Sequence, residues 1–224
     1  MNVEILPGPE EVARRTALAV AAAVREAVAL RGRCLLALSG GKTPERMLRL
    51  LAGEDLPWDR VHVFQVDERV APPGHDDRNL TVLAGALSAR LPAAALHAMP
   101  VERVDLAAAA AGYASELRGL AGTPPVLDLV HLGLGEDGHT ASLFPGDPAL
   151  SAAGEVALTG IRNGRRRMTL TRPVLDRARQ VLWQVVGAGK ARALERLVHA
   201  DPGIPAGRVR RERALVLADA AAAG

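Results

Sequence analysis

Short apolar runs that end in glycine or charge alternate with helical patterns along nearly the whole chain, and this alternation most restricts its fold. A helix is expected over Glu10–Leu30, where Val12, Val20, Val24 and Val28 recur at helical spacing after Pro9. The run Cys34–Ser39 reads as a strand closed by Gly40-Gly41, and a second helical pattern runs from Thr43-Pro44-Glu45 to about Leu51. Val61–Asp67 and Leu127–Leu132 read as buried parallel strands, with helices near Leu80–Leu91 and over Asp105–Leu120 between them. Further strands are expected at Arg167–Thr171, Val181–Val186 and Ala214–Leu217, and a last helix over Ala188–His199. The pattern predicts an α/β fold, a mostly parallel sheet with helices on both faces. At 224 residues and 49% hydrophobic content the chain is long enough for one such unit, and no repeat or linker divides it. A single domain over residues 1–224 is the expectation.

In open parallel sheets ligands bind beyond the carboxyl ends of the strands. Three strand ends here are rich in glycine and charge: SGGKTPE from Ser39, DERVAPPGHDDRNL from Asp67 and GLGEDGHTASLFP from Gly133. The first has the makings of an anion cradle. Ser39 and Thr43 offer hydroxyls, Gly40 and Gly41 free backbone N–H groups, and Pro44 opens a helix whose positive end favours an anion. The same residues also fit an ordinary strand-to-helix turn with Thr43 as N-cap. In the second loop Arg69 is placed either to fork onto a phosphate or carboxylate or to serve a surface ion pair.

The third loop holds the spacing GxGxxG at Gly133, Gly135 and Gly138. A dinucleotide turn needs a helix starting among the glycines and an acidic residue ~20 positions on. Pro145 leaves room for only a short helical turn, and Glu155 is the lone acidic candidate. The glycines instead allow a sharp turn that displays Asp137 and His139 at the strand tip. A histidine with an unperturbed pKa of ~6.5 suits proton abstraction near neutral pH. As a metal ligand, His139 would need His131, His62 and His75 to converge on it, and no HExxH spacing exists.

Charge and cysteine content exclude other classes. The net charge is only +3, and the one dense basic run, Arg165–Arg167, has no aromatic neighbours for base stacking and reads as a solvated loop, so no nucleic-acid partner is expected. Among 28 basic residues only Lys42 and Lys190 are lysines, which draws attention to them. The single Cys34 excludes an internal disulfide and reads as a buried small hydrophobe. The longest low-charge stretch, Thr16–Val24, ends at Arg25-Glu26, short of the ~20 residues of a membrane span. The opening Glu4, Pro7 and Pro9 do not resemble a secretory leader, so a cytoplasmic protein with no membrane partner is expected.

Taken together, LALSGGKTP, VFQVDERVAPPGHDDRNL, LDLVHLGLGEDGHTASLFPG, RRMTLTRPVLDRARQVLWQVVGAGKARAL and ALVLADAAAA resemble the 6-phosphogluconolactonases, in order and over nearly the whole chain. That family has the modified Rossmann-like fold of the sugar-phosphate isomerases and deaminases. The resemblance implies a hydrolase without metal or cofactor that opens 6-phospho-D-glucono-1,5-lactone to 6-phosphogluconate in the pentose phosphate pathway, as a monomer or homodimer. It places the phosphate near Ser39, Gly40, Gly41 and Thr43, with Arg69 and Lys190 as cationic partners. It makes His139 the general base, and Asp137 and Asp67 its supporting or substrate-hydroxyl-binding carboxylates. Glucosamine-6-phosphate deaminases share the DGH core, but their pattern continues with an acidic residue where this chain has Phe144. A non-catalytic sugar-phosphate sensor is the other alternative, and no helix-turn-helix extension accompanies the domain.

Overall fold

The computed structural model describes residues 1–224. The chain opens with β1 (Asn2–Leu6), α1 (Pro9–Arg31), β2 (Cys34–Leu38) and α2 (Lys42–Ala52). It continues through β3 (Val61–Gln65), β4 (Asp67–Arg69), α3 (Asn79–Leu87), β5 (Leu96–His97), α4 (Leu106–Ala121) and β6 (Leu129–Gly133). The last third holds β7 (Val156–Leu158), β8 (Arg167–Leu170), α5 (Arg172–Arg177), β9 (Gln180–Val185), α6 (Ala191–Val198), β10 (Ala214–Asp219) and α7 (Ala220–Ala223). No helix is long and apolar enough to cross a membrane.

Seven strands form one sheet in the order β1-β10-β9-β6-β2-β3-β5, and every pairing in it is parallel. Side-chain alternation divides each strand between two apolar layers. Cys34, Leu36 and Leu38 of β2 pack with α1, α2 and α3, whereas Leu35 and Ala37 pack with residues of α4, α5 and α6 across the sheet. The α/β reading with helices on both faces thus holds, and Cys34 has no exposed surface.

The structure corrects the expected strand list in three ways. Val61–Asp67 is not one strand: β3 stops at Gln65, and Asp67–Arg69 crosses into a separate three-stranded antiparallel sheet, β4-β8-β7. Arg167–Thr171 joins that small sheet rather than the parallel one. Finally, three strands carry no expected pattern: β1 and the two-residue β5 form the edges of the main sheet, and β7 an edge of the small one.

At the β5 edge, pairing with β3 ends at Phe64, and Tyr113 of α4 takes over. Its hydroxyl accepts the Gln65 N–H at 2.8 Å and lies 3.1 Å from the His97 carbonyl, in a site 1% exposed. Removing the hydroxyl leaves a buried N–H without an acceptor. Tyr113→Phe is therefore expected to lower unfolding free energy by about 1–3 kcal/mol with an unchanged m-value in urea, and an unchanged midpoint would contradict this role.

Candidate active site

Parallel pairing brings the loops after β2, β6 and β9 to one sheet edge, where they enclose a cavity of about 280 Å³. Ser39, Gly40, Gly41, Lys42 and Thr43 line it from the β2–α2 turn, and Asp67 and Arg69 from β4. Gly135 and His139 face it from the loop after β6, and Lys190 from the turn after β9. The expected phosphate residues, His139 and Asp67 thus lie around one cavity. Asp137 stands behind His139, in an adjoining groove with Glu136.

The β2–α2 turn leaves the head of α2 open. Gly41, at φ 100°, occupies the N-cap position, and no side chain caps the helix, so Thr43 is not the N-cap. The first-turn N–H groups are available to an anion. Gly40 is compelled by packing: a Cβ there would lie 2.6 Å from Asn79 Cβ and 2.7 Å from its backbone. Ser39 Oγ donates to the His131 carbonyl at 2.9 Å, tying the turn to β6. Beneath the turn, His131 Nε2 lies 3.0 Å from Gln184 Oε1, and Gln184 Nε2 donates to the Thr43 carbonyl. Because the Gln184 amide nitrogen faces a carbonyl, its oxygen faces His131, which must carry its proton on Nε2.

His139 is held from both sides. Its Nδ1 lies 2.5 Å from Asp137 Oδ1, which also accepts the His139 backbone N–H at 3.1 Å. The carboxylate can only accept, so Nδ1 carries a proton, and the neutral ring then has its lone pair on Nε2. Burial raises the Asp137 carboxyl, but the hydrogen bonds from His139 outweigh it and hold the group below its ordinary value. Gly135 makes room for this ring, since a Cβ there would overlap it. The Phe144 ring packs against the other side, its centroid 4.4 Å away. Of the two carboxylates expected to support His139 or to bind substrate hydroxyls, Asp137 touches the ring, and Asp67 lines the cavity instead. Asp67 Oδ2 accepts from Ser142 Oγ at 2.5 Å, and Oδ1 from Asn79 Nδ2 at 3.0 Å.

The cations include one that the sequence reading missed. Arg167, read as part of a solvated loop, opens β8, lines the cavity and stands directly opposite Arg69 in the antiparallel register. Burial, and then the charge of Arg69, push the Arg167 guanidinium below its ordinary range. Like charges directly opposed across strands are destabilising. Arg167 also lies over the Phe144 ring at 5.0 Å. Lys190 faces only Glu136, at 4.0 Å.

A sequence profile described as glucosamine-6-phosphate isomerases/6-phosphogluconolactonase matches residues 7–217. The chain belongs to this family. It is 39% identical over 209 residues to the 6-phosphogluconolactonase of Synechocystis, covering 90% of this chain and 87% of that protein. The structure of 6-phosphogluconolactonase from Trypanosoma cruzi superposes with a TM-score of 0.90 at 25% identity, covering 99% of this chain and 95% of that one. A monomeric glucosamine-6-phosphate deaminase matches with a TM-score of 0.86 over 100% of this chain and 99% of its own, but at 18% identity that likeness is one of fold alone. Membership of the glucosamine-6-phosphate isomerase/6-phosphogluconolactonase family accordingly fixes the architecture, and the side chains must decide the chemistry.

Within this family member, His131 is buried beneath the turn with its Nε2 on Gln184, and no three His, Cys, Asp or Glu side chains are grouped around one point. Burial drives its pKa down to about 4, against the hydrogen bond to Gln184. A histidine depressed from ~6.5 contributes stability that is full above ~6.5 and is lost as pH falls toward the folded-state value, roughly 3 kcal/mol in all. Denaturant unfolding of the wild type should therefore weaken between pH 6.5 and about 4. His131→Asn should flatten that slope; an identical slope in the variant would exclude His131 as its source.

Proposed function

We propose that this chain is a 6-phosphogluconolactonase that hydrolyses 6-phospho-D-glucono-1,5-lactone in the pentose phosphate pathway, with His139 as general base. The observation that carries this reading is the opposition of Arg69 and Arg167 in the cavity that also takes His139, with Asp137 bound behind that imidazole. Two guanidiniums held against their own repulsion suit a dianion, and the uncapped head of α2 and Lys190 add to the same field.

With the phosphate at that end, the lactone ring extends toward His139. Asp137 keeps the imidazole proton on Nδ1, so Nε2 takes a proton from water as the water oxygen attacks the C1 carbonyl. The resulting oxyanion is stabilised by neighbouring N–H groups or Arg69. Its collapse breaks the bond from C1 to the ring oxygen, which takes the proton back from the imidazolium. Atoms and charge balance without a covalent intermediate. Ser142, three residues after His139, is fully buried and bound to Asp67, which suits a supporting role rather than attack. Phe144, where deaminases carry an acid, presents an apolar ring to His139 and favours the hydrolytic reading.

His139→Ala is expected to lower kcat by about 10²- to 10⁴-fold while 6-phosphogluconate still binds. Wild-type kcat in that variant would remove His139 as the base. Arg167→Ala and Lys190→Ala test the phosphate end. Each should lower kcat/KM for the phosphorylated lactone by about one to two orders of magnitude, and far less for glucono-1,5-lactone. Equal losses on the two lactones would place these cations outside the phosphate site.

A further inference from the structure

Arg69 is preceded by a glutamate with no exposed surface that does not line the cavity. Four N–H groups converge on the Glu68 carboxylate. Oε1 accepts from the backbone of Arg69 at 2.9 Å and Asn79 at 2.7 Å, and Oε2 from the backbone of Leu80 and the Gln65 side chain, both at 2.9 Å. Asn79 and Leu80 begin α3, which has no cap from its own N-cap residue, so Glu68 caps that helix from a neighbouring strand. Arg78 closes the far side: its buried guanidinium lies 3.1 Å from Glu68 Oε2 and 2.6 Å from Glu102 Oε1.

The arrangement reaches the cavity through Asn79. Its amide nitrogen donates to the backbone oxygen and to Oδ1 of Asp67, and its Cα and Cβ occupy the space that any side chain at Gly40 would need. One carboxylate therefore holds the Arg69 backbone directly, and Asp67 and the Gly40 turn through Asn79. Only a carboxylate can accept four donors on two oxygens; a glutamine would turn its own NH₂ toward two of them.

We infer that Glu68 is a positioning residue for the anion-binding half of the site, setting where Arg69 and the Gly40-Gly41 turn stand relative to each other. This rests on the proposed function only in taking the anion to be the substrate's phosphate. A buried charge network serving stability alone would predict that breaking it anywhere has the same consequence.

Glu68→Gln and Arg78→Met separate the two cases. The first disrupts the N–H cradle, whereas the second removes both Arg78 ion pairs and its bond to the Ala71 carbonyl but leaves all four N–H bonds to Glu68. The readout is the preference for 6-phosphogluconolactone over glucono-1,5-lactone, as the ratio of their kcat/KM values. Glu68→Gln should lower it by about tenfold to a hundredfold, through KM rather than kcat. Arg78→Met should lower the melting temperature but keep the preference within about twofold. In an Arg69→Ala background Glu68→Gln should cost little further preference. If Glu68→Gln does not fold, Glu68→Asp retracts the same charge by one methylene and is read identically. Calorimetric titration with 6-phosphogluconate and with gluconate repeats the comparison without turnover, so absence of lactonase activity would sink the proposed reaction while leaving this inference decidable. Equal effects of Glu68→Gln and Arg78→Met, or unweakened 6-phosphogluconate binding in Glu68→Gln, would overturn it.

Discussion

The parallel pairing of β2, β3, β6 and β9 governs everything else in this protein. Strands that run the same way deliver their following loops to the same edge, which is why the Ser39–Thr43 turn, the Gly133–His139 loop and Lys190 meet although up to 151 positions separate them in sequence. Register is secured by burial on both faces. A slip of one residue in β2 would exchange Leu36 and Leu38 with Leu35 and Ala37 between two differently shaped apolar layers.

On that frame sits an element with the opposite logic. At Val66 the chain leaves the large sheet, donating to the Leu38 carbonyl and accepting from Leu170 N–H, and enters the small antiparallel one. The new register puts Arg69 against Arg167, like charges opposed across the strands, with Asp67 and Asp77 offsetting part of the repulsion. The aromatic face of Phe144 under Arg167 offsets part of the repulsion, and the same ring steadies His139. Stability given up at a cation pair and recovered when an anion binds is a common signature of a functional site.

The main sheet was legible because each of its central strands is a short apolar run with the period of a buried strand. What escaped had no such period. The edge strand β1 exposes Val3 and Ile5, β5 has two residues, and β4 consists of three charged residues, of which Asp67 reads as the tail of β3 and the other two as loop. The partnership of Asp137 with His139 was legible because it spans two residues of one turn, whereas the clamps on Asp67 come from Asn79 and Ser142, 12 and 75 positions away. Arg167 was lost inside a run of three arginines. Strand alternation in RMTL was the available signal, but without the β4 partner it could not say which face met a charge.

In the function proposed, the Arg69–Arg167 opposition is maintained for an anion at a cost to the fold. Thermal unfolding of wild type and Arg167→Met, at low ionic strength with and without millimolar inorganic phosphate, tests it most directly. The account predicts that phosphate raises the wild-type melting temperature, that Arg167→Met is the more stable protein without phosphate, and that the variant loses most of the phosphate response. A variant less stable than wild type without phosphate, with the phosphate response intact, would contradict it.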